Sequence, residues 1–154
     1  MKDSFGAAYY IKFALVFIAV FASMLAIALN YSKAFRIKNT IISYIEANEG
    51  LDNNLKQKID DYVAEMKYYV DNVNPGSETT YQYKSGYVYK DGQCEKRGYC
   101  IYHYSPAKSP NTNVYEYRGD YYKVVTYIQV EFPFFDLDVT VPVTGETKLL
   151  NQKS

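Results

Sequence analysis

FALVFIAVFASMLAIALNY, Phe13 to Tyr31, is an apolar run without charge, proline or glycine. As a helix rising about 1.5 Å per residue, it spans a hydrocarbon core of about 30 Å. The run is apolar all round rather than along one stripe, which argues against the core helix of a soluble protein. A cleaved secretory signal has a shorter apolar core followed by a small-x-small site. The residues after the run, Asn30-Tyr31-Ser32-Lys33-Ala34-Phe35-Arg36, make no good site, and Ala26-Ile27-Ala28 lies inside it. The run therefore reads as an uncleaved transmembrane helix over 13–31, with 1–12 as a cytoplasmic N-terminus.

The flanking charges and the cysteines disagree about orientation. Lys2 and Lys12 precede the run, offset by Asp3, and Lys33, Arg36 and Lys38 follow it. That count slightly favours a cytoplasmic C-terminal domain. Long domains translocate largely regardless of flanking charge, however. The only two cysteines, Cys94 and Cys100, form a spaced pair of the kind oxidised outside the cytoplasm. We give the pair more weight and expect a single-pass cell-membrane protein with its C-terminal domain extracytoplasmic.

The helical pattern continues past the run. Ile37, Ile41, Tyr44 and Ile45 recur at helical spacing. Asn48-Glu49-Gly50 reads as a helix end with Gly50 at the C′ position, and Asp52 or Asn53 can cap a second helix. The stripe of that helix includes Leu55, Ile59, Tyr62, Val63, Met66, Tyr69, Val70 and Val73. Lys56, Lys58, Asp60, Asp61, Glu65 and Lys67 take its other side. Leu55, Ile59, Tyr62, Met66, Tyr69 and Val73 are the expected packing positions. Turn chemistry at Asn72-Val73-Asn74-Pro75-Gly76 ends the pattern. Residues 32–74 thus read as a helical stalk broken near Gly50.

From Thr79 the period becomes 2. Thr79–Lys84, Tyr87–Lys90, Tyr99–Tyr104, Val114–Tyr117 and Tyr121–Phe132 are strand candidates, with Asp91-Gly92 as a tight turn. Ser105 to Asn113 reads as a loop. After a break at Pro133, Leu137, Val139, Val141 and Val143 alternate with polar residues and Pro142, which argues for an edge or a change of direction. The expected fold is α+β. A transmembrane helix runs on into an amphipathic helix, and a second helix packs on a small antiparallel sheet within a 75–154 extracytoplasmic domain.

The formal net charge is zero, so no basic field speaks for a nucleic-acid partner. The outliers are 19 tyrosines and 8 phenylalanines with no tryptophan. Tyrosine suits half-buried sheet faces, where the ring packs and the hydroxyl stays wet. A partner- or carbohydrate-binding aromatic face is the other reading.

Little in the sequence carries chemistry. Cys94-x5-Cys100 is a disulfide or half a metal site, and a zinc site would need four ligands. His103 is the only histidine and sits in a strand among tyrosines, the pattern of a structural residue. A catalytic cysteine–histidine pair would need a free thiol. Arg118-Gly119-Asp120 matches a cell-adhesion tripeptide but also an ordinary hairpin turn. Asn30-Tyr31-Ser32 fits the glycosylation pattern at the membrane face. Asp60-Asp61 and Asp136-x-Asp138 read as solvated carboxylates. Phosphate-loop, metalloprotease and nucleophile-elbow motifs do not occur. We expect no enzyme, no cofactor and no metal, and the sequence identifies no small-molecule substrate.

Anchor, continuous amphipathic helix and antiparallel sheet, in that order, resemble type IV pilin-like proteins. The more specific resemblance is to TadE-like minor pseudopilins of tight-adherence pilus systems. It is carried by Phe17 to Arg36, and by Val124-Val125-Thr126-Tyr127-Ile128-Gln129-Val130-Glu131-Phe132-Pro133 with Val139-Thr140-Val141-Pro142-Val143-Thr144-Gly145-Glu146-Thr147. It implies a membrane-anchored structural subunit of a surface filament or secretion apparatus, with other pilin-like or secretion subunits as partners besides membrane lipid. It also implies cleavage after a glycine, for which Gly6 is the candidate. Pilins usually carry Glu at the fifth mature position; here that position is Ile11, and no carboxylate lies between Asp3 and Glu46. The alternative to such a subunit is a membrane-tethered extracytoplasmic binding or accessory module.

Overall fold

No proline or glycine interrupts the chain from Ala7 to Glu49, and alanine and isoleucine are its commonest residues. These residues sustain a single helix, α1, Lys2–Ala47. The computed structural model describes residues 2–70, 86–95, 98–107, 119–131 and 138–151. Within the apolar half of α1 the Ser23 hydroxyl donates to the Ala19 carbonyl at 2.9 Å, so this polar group is satisfied inside the helix.

The end of α1 is a Schellman motif. The Gly50 amide donates to the Ile45 carbonyl and the Glu49 amide to the Glu46 carbonyl. Glu49 occupies the left-handed C′ position at φ 54°, and Gly50 follows at φ 150°. The glycine expected at C′ is therefore one residue further on. Asp52 caps the next helix, α2, Asn53–Glu65, its carboxylate accepting from the Leu55 amide at 2.6 Å.

A second Schellman motif closes α2. The Lys67 amide donates to the Ala64 carbonyl, the Tyr68 amide to the Val63 carbonyl, and Lys67 stands at φ 48°. This corrects the sequence reading, in which the helical stripe ran to Val73. Leu55, Ile59 and Val63 are buried, and Tyr62 and Met66 are partly buried against the core. Tyr69 lies past the helix with 64% of its surface exposed, and Val73 falls outside the described residues. The physical reason is Tyr68. Leaving the helix at this point sends its ring into the core, which the next helical turn could not do.

Among the described residues four strands form one antiparallel sheet: β1, Tyr87–Glu95; β2, Tyr99–Pro106; β3, Tyr121–Glu131; and β4, Asp138–Glu146. Their order in space is β1-β2-β3-β4. Asp91 and Gly92, expected as a turn, lie inside β1 instead, where they pair with His103 and Tyr102. The register slips between Tyr89 and Asp91, so the local irregularity is a bulge and the strand continues to Glu95. Pro142 is on β4, an edge strand, as the missing amide requires. The candidate strands Thr79–Lys84 and Val114–Tyr117, and Leu137 of the closing pattern, lie outside the described residues.

The second half of α1 lies along β3 and β4. Ala34, Ile37, Ile41 and Ile45 are wholly buried there. Residues 34–47 are thus the central core element of the head, which corrects the reading of them as a stalk in front of it. Across the interface the Thr126 hydroxyl donates to the Ala34 carbonyl at 3.2 Å. Gly145 lets α1 approach β4 closely: a Cβ there would sit 2.8 Å from Ile42 Cδ1. Tyr62 joins the helices, its ring meeting Tyr44 edge-on and its hydroxyl lying 3.2 Å from Thr40 Oγ1.

The ends of α2 yield a paired expectation. Lys67→Gly removes the left-handed strain of a side chain at φ 48° and raises unfolding stability by about 1 kcal/mol. Asp52→Ala loses the cap and lowers it by about 1 kcal/mol. Urea unfolding of the detergent-solubilised chain, followed by circular dichroism, measures both.

Candidate functional interface

The two halves of α1 differ in what surrounds them. From Tyr9 to Leu29 the large apolar side chains point outward on every side, Phe17 at 73% and Leu29 at 71% exposure. This helix is long and apolar enough to cross a membrane. Such a surface is not stable against water and requires lipid or other apolar helices around it. The inward stripe of the second half reaches back to Ile27, which packs against the head's core.

Just beyond the apolar run, the side of α1 turned away from the sheet becomes polar. Ser32, Phe35, Arg36, Asn39, Thr40 and Ser43 line a shallow open groove there. Lys38 lies on the sheet side, its ammonium 4.2 Å above the Phe35 ring and 3.4 Å from the Thr144 carbonyl. Burial lowers its pKa below the usual lysine value. Lys33 donates to the Lys67 carbonyl at 3.3 Å, fastening α1 to the end of α2.

The cysteines and the histidine are structural in this arrangement. Cys94 and Cys100 face each other in the β1–β2 register and form a disulfide. With both sulfurs tied together, the alternative of half a metal site is removed. Among the described residues no cluster of three or more His, Cys, Asp or Glu side chains could hold a metal.

His103 stacks on Tyr122, ring centroids 4.5 Å apart. Its Nδ1 is 3.1 Å from Asp91 Oδ1 and its Nε2 is 3.0 Å from Asp120 Oδ2. Both ring nitrogens are occupied by carboxylates. Asp120 is also the aspartate of the adhesion-like tripeptide. Its side chain is mostly buried on His103, and its backbone bridges to Leu150. Gly119 fits against the Leu150 backbone, where an added Cβ would meet the carbonyl oxygen at 2.0 Å. Arg118 lies outside the described residues.

Sequence reasoning missed Tyr68. Its phenol sits where β2 ends beside β3 and bonds both backbone groups of Tyr127. It accepts from the Tyr127 amide at 2.9 Å and donates to the Tyr127 carbonyl. The Tyr127 amide also reaches the Gly98 carbonyl at 3.3 Å, so the hydroxyl reinforces the strand pairing where it fades beyond Tyr99–Thr126. The chemical signal was present, since a buried tyrosine needs a hydrogen-bond partner. Helical periodicity through Tyr69 and Val70 concealed it. Burial pushes the phenol's pKa up to about 12. Burial likewise raises Tyr122, with Asp120 and Asp91 adding to the effect.

The comparisons with known proteins return nothing: no family model, no curated protein and no solved structure matches this chain.

Two outcomes are expected. The folded state holds the Tyr68 proton more tightly than the unfolded chain, whose phenols ionise near 10.0, so its contribution is complete below that pH. It is lost as pH rises from 10.0 to about 12, which removes roughly 2–3 kcal/mol at 1.36 kcal/mol per unit. Tyr68→Phe therefore lowers stability by about 1–2 kcal/mol at pH 8 and flattens the alkaline fall, as read by urea melts across that range. His103→Ala removes the imidazole that bridges Asp91 and the mostly buried Asp120 and stacks on Tyr122, and destabilises the head by about 1–3 kcal/mol, measured by the same melts at pH 7.

Proposed function

We propose that this protein is a membrane-anchored, pilin-like structural subunit of a surface filament or secretion apparatus. The observation that carries this reading is the continuity of α1. One helix is apolar on all sides over its first half and forms the core of an α+β head over its second. A tether needs only length and apolarity. A helix that stores a subunit in a bilayer and then packs against equivalent helices also needs a fixed relation to its head, and here the shared helix supplies it.

Two further features support the reading. The Cys94–Cys100 bridge suits a head exported to an oxidising compartment. The polar band at Arg36, Asn39 and Ser43, beside the apolar run, offers hydrogen-bonding groups to a neighbouring helix. Ile11 takes the place of the glutamate found in ordinary pilins. The subunit we propose therefore caps a filament or assembles without that charge pairing. Processing after Gly6, which lies within α1, is tested by intact mass and amino-terminal sequencing of the membrane-extracted protein.

An anchor swap tests the main claim. Residues 13–31 are replaced by an unrelated apolar helix of equal length. Membrane insertion and the disulfide are expected to survive, while recovery in sheared filaments or with secretion subunits is lost. Undiminished recovery would mean that the helix is only a tether, and would favour a tethered binding module instead.

A further inference from the structure

The register between α1 and β4 fixes how deep the sheet sits along the apolar helix. The Lys148 amide donates to Glu46 Oε1, and Gly145 lies against Ile42 and Lys38. Strand β4 therefore runs alongside α1 in the same direction. A strand rises about 3.3 Å per residue and a helix about 1.5 Å, so each strand residue passes about two helix residues. Counting back from Gly145, beside the helix turn at residues 38–42, places Val141 at about the level of Tyr31. By the same step Val139 lies at about the level of Ile27. The packing of Ile27 against the core agrees with this placement.

Both valines lie on the helix side of the sheet, yet Val139 is 37% and Val141 42% exposed. They stand level with the last two turns of the apolar run. Part-exposed apolar side chains level with the last turns of a spanning helix suit the boundary between acyl chains and headgroups.

We infer that the β3–β4 end of the sheet is a second membrane contact, seated through Val139 and Val141 at the headgroup–acyl boundary of the leaflet on the head's side. This rests on the reading of α1 as a membrane anchor. The head is then held against the bilayer at two places, the helix and the end of the sheet.

The chain has no tryptophan, so one introduced indole reports its own surroundings. Leu25→Trp, Val139→Trp, Val141→Trp and Gln57→Trp are made one at a time in the full chain, checked for the disulfide and for unchanged circular dichroism. Each is reconstituted into phosphatidylcholine–phosphatidylglycerol vesicles with and without bromine near the top of the acyl chains. Emission is expected to fall in brominated vesicles for the variants at 25, 139 and 141, and to hold for the variant at 57 on α2. Quenching at 25 with none at 139 and 141 overturns the sheet contact and leaves the anchor standing. No quenching at 25 overturns the anchor itself. The unsubstituted chain gives a check independent of any variant. A phospholipid with a photoactivatable group near its headgroup is expected to label the peptide covering 138–143, and failure to label it while labelling α1 also overturns the contact.

Discussion

The fold depends on one interface, the isoleucine stripe of α1 laid on β3. Ile37, Ile41 and Ile45 exclude water completely, and Thr126 spends its hydroxyl on the helix backbone at Ala34. Burying side chains of this size contributes about 1.5–3 kcal/mol each relative to exposure. No other element brings together the helix, the central strands and the chain that follows β4. Remove the stripe and β3 loses the cover of one face, while Lys148 loses its tie to Glu46.

Strand β3 is the other half of that interface, and it is buried along nearly its whole length. Tyr122, Val124 and Thr126 face the helices; Tyr121, Val125 and Tyr127 face the other way and are also buried. On that second face Tyr104 stacks on Tyr121, with ring centroids 4.9 Å apart, and Tyr87 meets Tyr121 edge-on. The tyrosines of the four described strands are therefore largely interior packing. Lys123 on β3 is buried with its ammonium 3.6 Å from Glu146 across the β3–β4 register.

Much of this was legible in the sequence because it follows from periodicity. The apolar run, the α+β order, the Asp52 cap and the edge position of Pro142 all rest on local rules. The misreadings share a cause as well. Asp91-Gly92 has the composition of a turn, but pairing with β2 and a bulge at Lys90 carry the strand through it. The α2 stripe repeats correctly to Val73, but a tertiary hydrogen bond at Tyr127 draws Tyr68 out of the helix. A single sequence shows what a segment can form alone. It does not show which partner will outbid that preference. The cage around His103 was illegible for the same reason, since its carboxylates come from 12 positions before it and 17 after it.

The absence of any joint between the apolar half of α1 and the head has a mechanical consequence. Tension applied to the sheet passes into α1, one continuous helix with no hinge to absorb it. Because β3 and β4 lie lengthwise on α1, such a load acts in shear across the whole stripe at once rather than peeling one contact after another. Rows of contacts strained together resist far more force than contacts opened in turn. The molecule is thus built to transmit a pull along its long axis, and it would yield most readily to a force applied across that axis, at the exposed edge of β1.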